Sequence, residues 1–311
     1  MASMKAVRIH HFGDEGALNY EDVSVPEPGR NQILVKVLAA GVNPVDWKMR
    51  KGGYPSVDEA DLPITLGRDV CGRVAAVGSD VENCSEGERI IAFIGEGRGA
   101  YEEYALVEAN EFAHMPRFAT TNEAAALPLA GITAWQGLFD HGNLQAGQRV
   151  LIQGGSGGVG HIAIQLAKAK GAWVATTVSG SDIELAEMLG ADQAINYHEE
   201  SIEEALEPVD MVLDLIGGET QEQSFAVVKS GGILVSTVQE PSEALANLNG
   251  VRVAWFKAEP NGRQLADIVK LVEDEKVKIV LNRIFPLSEA AEAQRVLEHE
   301  HSRGKIVLEL L

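Results

Sequence analysis

A short apolar run that leads into a cluster of glycines is the feature that most constrains this chain. Residues 149–153 are Arg-Val-Leu-Ile-Gln, and Gly155-Ser156-Gly157-Gly158-Val159-Gly160 then follows the G-x-G-x-x-G spacing. Apolar residues recur at helical spacing over 159–169, Gly171 is placed to end that helix, and residues 173–178 are typical of a second strand. This order predicts a βαβ unit with a phosphate-binding loop.

The glycines of such a loop have separate tasks. One turns tightly, one lets the backbone approach a pyrophosphate, and one lets the helix pack closely on the strand, while free N–H groups and the positive helix end face the phosphates. A flexible loop without a ligand is the alternative in a chain with 32 glycines. The flanking elements favour the dinucleotide-binding interpretation. We therefore expect the cofactor phosphates at Gly155, Ser156, Gly157, Gly158, Val159 and Gly160.

Length and charge narrow the function further. A chain of 311 residues with 45% hydrophobic content can form about two domains. Its net charge of −20 argues against nucleic-acid and anionic-membrane partners, which require clustered basic residues. We find no apolar run of transmembrane length and no signal peptide, and two cysteines are too few for a disulfide framework. We expect a soluble, cytoplasmic protein.

The chain divides by its local patterns. Up to residue 122 it is rich in short strands, predicted at 6–9, 33–39, 70–77, 89–93 and 104–107, with one helix at 45–50. From 123 to 260 strands and helices alternate, which indicates a doubly wound parallel sheet. Residues 261–311 return to the first domain. The predicted elements after residue 121 are helices at 122–129, 133–140, 183–189, 264–272 and 288–297 and strands at 209–216, 233–237, 277–284 and 305–310. Capping boxes are predicted at Ser181 and Ser201.

Several ordered blocks resemble one known family. The segment from Ala39 to Gly53, with Gly41-Val42-Asn43-Pro44-Val45-Asp46 at its centre, is similar to the signature of the zinc-independent quinone oxidoreductases of the medium-chain dehydrogenase/reductase superfamily. Residues 62–72, Gly131-Ile132-Thr133-Ala134-Trp135, 194–197 and 303–308 resemble further blocks of that family. The resemblance covers the whole chain. It implies an α/β protein in which a Rossmann domain is inserted into a β-rich GroES-like catalytic domain, with a cofactor cleft between them.

The resemblance also implies that catalytic zinc is absent. Gly41-Val42-Asn43 stands where zinc-dependent relatives have a cysteine ligand, and Gly67-Arg68-Asp69 stands where they have a Gly-His-Glu segment. A catalytic zinc site needs three protein ligands of the Cys, His or carboxylate type. We interpret His299-Glu300-His301 as a solvated helix end, since no third ligand is in view.

Candidate catalytic residues come from the same comparison. Asn43 corresponds to an asparagine that lines the nicotinamide cleft, and turn capping is the alternative. Tyr54 corresponds to a tyrosine that faces the nicotinamide, although loop aromatics are often packing residues. Thr133 matches a threonine beside the nicotinamide ribose and phosphate, with helix N-capping as the alternative. We expect Asp46 to be structural. Asp214 ends a buried strand, and the resemblance places the loop after it near the nicotinamide, with capping of a neighbouring turn as the alternative for Asp214 itself.

The end of the second strand indicates the cofactor. NAD-selective folds place an acidic residue about 20 positions beyond the loop, but Val178-Ser179-Gly180-Ser181 stands there. Ser179 and Ser181 can donate hydrogen bonds to a 2′-phosphate, and Tyr197 matches a family tyrosine that packs against it. The acidic residues Asp182 and Glu184 argue against a bound 2′-phosphate. We predict NADPH over NADH.

The resulting prediction is an NADPH-dependent reductase that transfers hydride to a quinone or other conjugated carbonyl compound without a metal ion. The alternatives are an enone or enoyl-thioester reductase of the same fold and a non-catalytic NADPH-binding or partner-binding protein. We also expect a homodimer that pairs through the region of residues 251–256, where Trp255 and Phe256 would otherwise be exposed.

Overall fold

The computed structural model describes residues 2–310, which form two compact units. Unit 1 comprises the described residues up to Leu129 together with Pro260–Glu273 and those from Leu281 onward. Unit 2 comprises Ala130–Glu259 and Asp274–Val280. The sequence analysis placed domain boundaries between residues 122 and 123 and between residues 260 and 261. It did not predict that Asp274–Val280 belongs to unit 2.

Sixteen strands and ten α-helices are formed by residues 2–310. The strands are β1 (Ser3–Ile9), β2 (Leu18–Ser24), β3 (Gln32–Val42), β4 (Ile64–Thr65), β5 (Asp69–Val77), β6 (Arg89–Phe93), β7 (Tyr104–Glu108), β8 (Phe112–His114), β9 (Arg149–Gln153), β10 (Trp173–Val178), β11 (Gln193–Asn196), β12 (Val209–Asp214), β13 (Val228–Ser236), β14 (Arg252–Trp255), β15 (Leu281–Pro286) and β16 (Lys305–Glu309). The helices are α1 (Pro44–Arg50), α2 (Thr121–Ala125), α3 (Pro128–Trp135), α4 (Gly160–Ala169), α5 (Ile183–Met188), α6 (Ile202–Ala205), α7 (Gly218–Ser224), α8 (Glu243–Asn249), α9 (Gly262–Glu273) and α10 (Ala290–His299).

Unit 1 is built around the long strand β3. In the larger sheet the strand order is β15-β16-β3-β5-β6-β8, with β7 also paired to β3, and a second sheet has the order β2-β1-β4. β3 is antiparallel to β16, β5 and β7, so the chain end returns to the strand that precedes the Asn43 block. Buried aliphatic side chains from both chain ends form one core, among them Ile33, Val35, Ile90, Ile306 and Leu308.

Unit 2 is a parallel sheet of six strands in the order β11-β10-β9-β12-β13-β14. All five neighbouring pairs are parallel, and helices connect successive strands. The central strands β9 and β12 are almost wholly buried, as expected of apolar strands covered on both faces. The predicted fold class, a Rossmann sheet combined with a GroES-like β-rich domain, is confirmed.

Some predicted boundaries are wrong. The helices expected at 122–129 and 133–140 are instead α2, α3 and a π-helical turn at Gln136–His141. Residues 277–280 are not part of a strand, and β15 begins at Leu281. Ser201 is the N-cap of α6 and accepts a hydrogen bond from Glu204 N, which is one half of the predicted capping box. The N-cap position of α5 belongs to Asp182 rather than Ser181, because a 3₁₀ turn over Gly180–Asp182 precedes that helix.

None of the helices formed by the described residues combines the length and apolar character needed to cross a membrane.

Candidate active site

The glycine loop joins β9 to α4 and leaves no room for larger residues at two positions. A Cβ on Gly155 would lie 2.0 Å from Thr176 Oγ1 on the neighbouring strand. A Cβ on Gly160 would lie 2.1 Å from the Gly154 carbonyl oxygen. The first glycine therefore permits close packing on β10, and the last permits the helix to start directly over the strand end.

Backbone N–H groups of the loop are divided between internal bonds and open donors. Gly155 N donates to Thr177 O at 3.1 Å and Gly157 N to Gly154 O at 3.2 Å. Within residues 2–310, the N–H groups of Gly158 and Val159 donate to no other backbone group. They stand at the N-terminus of α4, where the helix dipole favours an anion. The loop therefore fits the pyrophosphate of a dinucleotide.

A buried polar chain holds the start of this loop. Thr177 Oγ1 accepts from Gly154 N at 3.1 Å and donates to Gln153 Oε1 at 2.5 Å. Gln153 Nε2 in turn donates to Ser224 Oγ at 2.9 Å. The sequence analysis did not find these supports, because Gln153 and Thr177 are marked only as polar residues near the ends of apolar strands and Ser224 lies on a distant helix.

The expected 2′-phosphate residues meet at the carboxyl ends of β10 and β11. Ser179 Oγ and Ser181 Oγ are 3.0 Å apart, and Tyr197 N donates to Val178 O at 3.2 Å, which places the exposed tyrosine beside the serines. Asp182, which opposed this assignment in the sequence, is fully buried and accepts from Ser181 Oγ at 3.3 Å. The two hydroxyls at this edge fit the 2′-phosphate of NADPH, and the Tyr197 ring packs against His198 with ring centroids 4.3 Å apart.

Two other sequence candidates in unit 2 have defined surroundings. Thr133 is buried in the interior of α3, so the alternative that it caps the start of a helix is wrong. Asp214 ends β12 with its carboxylate buried, and Oδ1 accepts from Ile216 N at 3.0 Å and Gly217 N at 2.9 Å. Asp214 therefore caps the turn that follows its strand.

Asn43 lies at the start of α1, 2% exposed, with its side chain bonded to two charged residues. Its Nδ2 donates to Asp69 Oδ2 at 2.8 Å, and its Oδ1 accepts from Lys305 Nζ. Lys305 Nζ also lies 3.3 Å from Asp69 Oδ2. Neither Asp69 nor Lys305 was a sequence candidate for the site, although both lie in blocks that carry the family resemblance.

Asp46 is fully buried beside this group. Its Oδ2 accepts from Asn43 N and from the Tyr101 hydroxyl, each at 2.8 Å, whereas Oδ1 has no hydrogen-bond partner among the described residues. Burial raises the pKa of Asp46 from 3.8 to about 6, against the opposing effect of these hydrogen bonds. Anchoring of the 43–46 turn agrees with the structural role expected of this carboxyl.

Tyr54 is partly buried on the loop after α1. Its hydroxyl lies 3.5 Å from Glu96 Oε1, which also accepts from Ser56 Oγ at 2.8 Å. Burial raises the pKa of the Tyr54 phenol, and the negative charge of Glu96 adds to this while Arg68 opposes it. The phenol therefore stays protonated at neutral pH and can act as a hydrogen-bond donor.

Gly41 has no room for a side chain. A Cβ on Gly41 would lie 2.4 Å from Asp69 Oδ2 and 2.8 Å from Ala125 O. Nearby, Arg68 Nε donates to Ile94 O at 2.8 Å. Any side chain at residue 41 would require this packing to change.

Three potential metal-binding groups come together elsewhere in unit 1. Among the described residues there is one cluster of potential metal ligands: the ligand atoms of Glu15, Glu298 and His299 lie within 4.8 Å of one another. The buried Arg50 guanidinium pairs with Glu298 at 2.8 Å and Glu15 at 3.4 Å, and Lys51 also pairs with Glu298. These carboxylates already compensate two cations, so we interpret the cluster as an ion-pair network between α1 and α10.

Comparison with known proteins agrees with the description of both units. The family model described as alcohol dehydrogenase GroES-like domain matches residues 29–117, and the model described as zinc-binding dehydrogenase matches residues 189–308. An NADPH-dependent alkenal/one oxidoreductase of Arabidopsis thaliana chloroplasts is 37% identical over 317 residues, which cover 98% of this chain and 79% of that protein.

Solved structures show the same architecture. A quinone oxidoreductase from Coxiella burnetii is 37% identical, with a TM-score of 0.93 and coverage of 100% of both chains. An Escherichia coli quinone oxidoreductase complexed with NADPH is 28% identical, with a TM-score of 0.89, and the match covers 99% of this chain and 100% of that one.

Proposed function

Because this chain belongs to the zinc-independent quinone oxidoreductase family of the medium-chain dehydrogenase/reductase superfamily, we propose that it is an NADPH-dependent reductase of quinones or other conjugated carbonyl compounds. The observation that carries the proposal is the pair of open N–H donors of Gly158 and Val159 at the N-terminus of α4. The hydroxyls of Ser179 and Ser181 at the adjacent strand edge support the 2′-phosphorylated cofactor. In this assignment unit 2 is the dinucleotide-binding domain and unit 1 the catalytic domain.

NADPH supplies hydride to the acceptor when bound. The residues of the chain bind and orient it: the loop 155–160 holds the pyrophosphate, Ser179, Ser181 and Tyr197 hold the 2′-phosphate, and Thr133 contacts the ribose. Tyr54 and Asn43 donate hydrogen bonds to the carbonyl oxygen of the acceptor, where negative charge accumulates. A conjugated acceptor delocalises that charge, so two neutral donors suffice without a Lewis acid.

The test is NADPH consumption with a panel of acceptors. We expect turnover with small quinones, 2-alkenals and enones and none with the matching saturated ketones, because only conjugated acceptors delocalise the charge. NADH should give a lower kcat/KM. An enoyl-thioester in the same panel tests the alternative substrate class. NADPH binding without consumption of any acceptor would overturn the proposal and leave a non-catalytic binding protein.

We further propose a cytoplasmic homodimer that pairs through β14. This strand lies at the edge of the unit 2 sheet, and Trp255 on it is 45% exposed. Phe256, by contrast, is buried and stacked on His141, with ring centroids 4.3 Å apart. An exposed strand edge with an aromatic side chain favours pairing with a second copy. Subcellular fractionation tests the location.

A further inference from the structure

A buried ion pair lies directly against Asn43. Lys305 is 3% exposed and Asp69 is fully buried, and Lys305 Nζ is 3.3 Å from Asp69 Oδ2. Both groups have other partners, since Lys305 Nζ donates to Val42 O at 3.2 Å and Asp69 Oδ1 accepts from Leu129 N at 2.6 Å. Two charges removed from water are costly, and replacement of such a pair by apolar side chains of similar volume is often neutral or stabilising. The pair therefore calls for a role beyond stability.

The chemistry of the two charged groups determines the direction of the Asn43 amide. An ammonium group can only donate hydrogen bonds, and a carboxylate can only accept them. Asn43 Oδ1 must therefore face Lys305, and Nδ2 must face Asp69 Oδ2, 2.8 Å away. One hydrogen of the NH₂ group is committed to Asp69. Among residues 2–310, the one other acceptor within hydrogen-bonding distance of Nδ2 is Gly41 O, at 3.5 Å, the limit of a hydrogen bond.

We propose that Asp69 and Lys305 are positioning residues that hold the Asn43 amide in one of its two orientations, so that its second N–H is presented to the acceptor oxygen. The role rests on the proposed reductase function. Without the two charges the amide could turn by half a revolution and present its oxygen, which would repel the charge that develops on the acceptor. Asp69 and Lys305 touch neither substrate nor cofactor in this role and act through Asn43.

Three variants separate positioning from stability. Lys305→Met and Asp69→Asn each leave one buried charge without its partner, so each should lower Tm. The double variant removes both charges and should recover much of that loss. The asparagine introduced at position 69 would still accept from Leu129 N and would turn its NH₂ toward Asn43, which favours the reversed amide. We expect kcat to fall about threefold for Lys305→Met and by about tenfold or more for the double variant.

A charge exchange gives a second, independent test. Asn43→Asp combined with Asp69→Asn keeps one buried carboxylate beside Lys305 and one amide, but residue 43 then has no donor. We expect a Tm close to that of the unmodified protein and a kcat reduced by about tenfold. Lys270→Met is the control for loss of a lysine, because Lys270 is exposed and pairs with Asp267 on its own helix. It should change neither quantity.

The ¹⁵N-labelled side-chain amide gives a readout that does not depend on turnover. One Asn43 NH₂ hydrogen should be shifted downfield by the Asp69 carboxylate, and this shift should disappear in the double variant. The inference is overturned if kcat recovers together with Tm in the double variant, if the exchanged variant keeps full activity, or if the shift persists. Absence of turnover in the unmodified protein would instead contradict the proposed function, while the amide signal would still decide the orientation.

Discussion

Replacement of Asp46 by asparagine should remove a specific pH dependence of stability. Burial raises the pKa of Asp46 from 3.8 to about 6 in the folded protein. At a pH between these two pKa values, Asp46 is protonated in the folded state and ionised in the unfolded state. Its contribution to stability is therefore fully present below the lower pKa. The contribution is lost as the pH rises through about 6. At about 1.36 kcal/mol per pH unit, the full difference is up to about 3 kcal/mol.

The asparagine side chain imitates the protonated carboxyl. Its oxygen can accept from Tyr101 and Asn43 N in place of Asp46 Oδ2, and its NH₂ replaces the unpartnered Oδ1. We therefore expect the variant and the unmodified protein to be similarly stable at about pH 3.5 to 4. Above about pH 6 the variant should be more stable by up to about 3 kcal/mol, because it avoids a buried negative charge.

Differential scanning calorimetry of both proteins over this pH range is the assay. The other titrating groups are common to the two proteins, so the difference between them isolates residue 46. Asp22→Asn is a matched control, since Asp22 is exposed and pairs with Lys5. A stability difference that is constant with pH, or one that favours the unmodified protein as the pH rises, would refute the reasoning.

Four further outcomes can be checked. Tyr54→Phe should lower kcat by about tenfold or less while NADPH affinity is kept, because one donor is worth about 1 to 2 kcal/mol; steady-state kinetics without any change would contradict the donor role. Gly155→Ala should weaken NADPH binding at least about tenfold in a fluorescence titration, since its Cβ would lie 2.0 Å from Thr176 Oγ1, whereas Gly16→Ala, with nothing within 4 Å, should not. A chelator should leave the rate unchanged, and a loss restored by zinc would return the protein to the metal-dependent class. Trp255→Glu should shift a dimer to monomers in light scattering at micromolar concentration, and a monomeric unmodified protein would contradict pairing through β14.

The local sequence pattern was sufficient to predict the parallel sheet and its glycine loop. The run over 149–153, the glycine spacing and the helical period after Val159 are short-range signals, and each is dictated by the conformation of a few consecutive residues. The predicted strands at 89–93 and 173–178 match β6 and β10 residue for residue. The π-helical turn at Gln136–His141 had no such signal, because an apolar pattern of helical period does not distinguish i→i+5 from i→i+4 hydrogen bonding.

The surroundings of Asn43 could not be predicted from sequence. Asp69 and Lys305 lie 26 and 262 positions further along the chain, and they meet Asn43 only because β3 pairs with both β5 and β16. Sequence alone determined that an asparagine stands before Pro44 at the start of a helix, a local preference for extended geometry. Which way its amide points, and whether it can donate, was decided by two charges that the tertiary structure brings out of water and against its side chain.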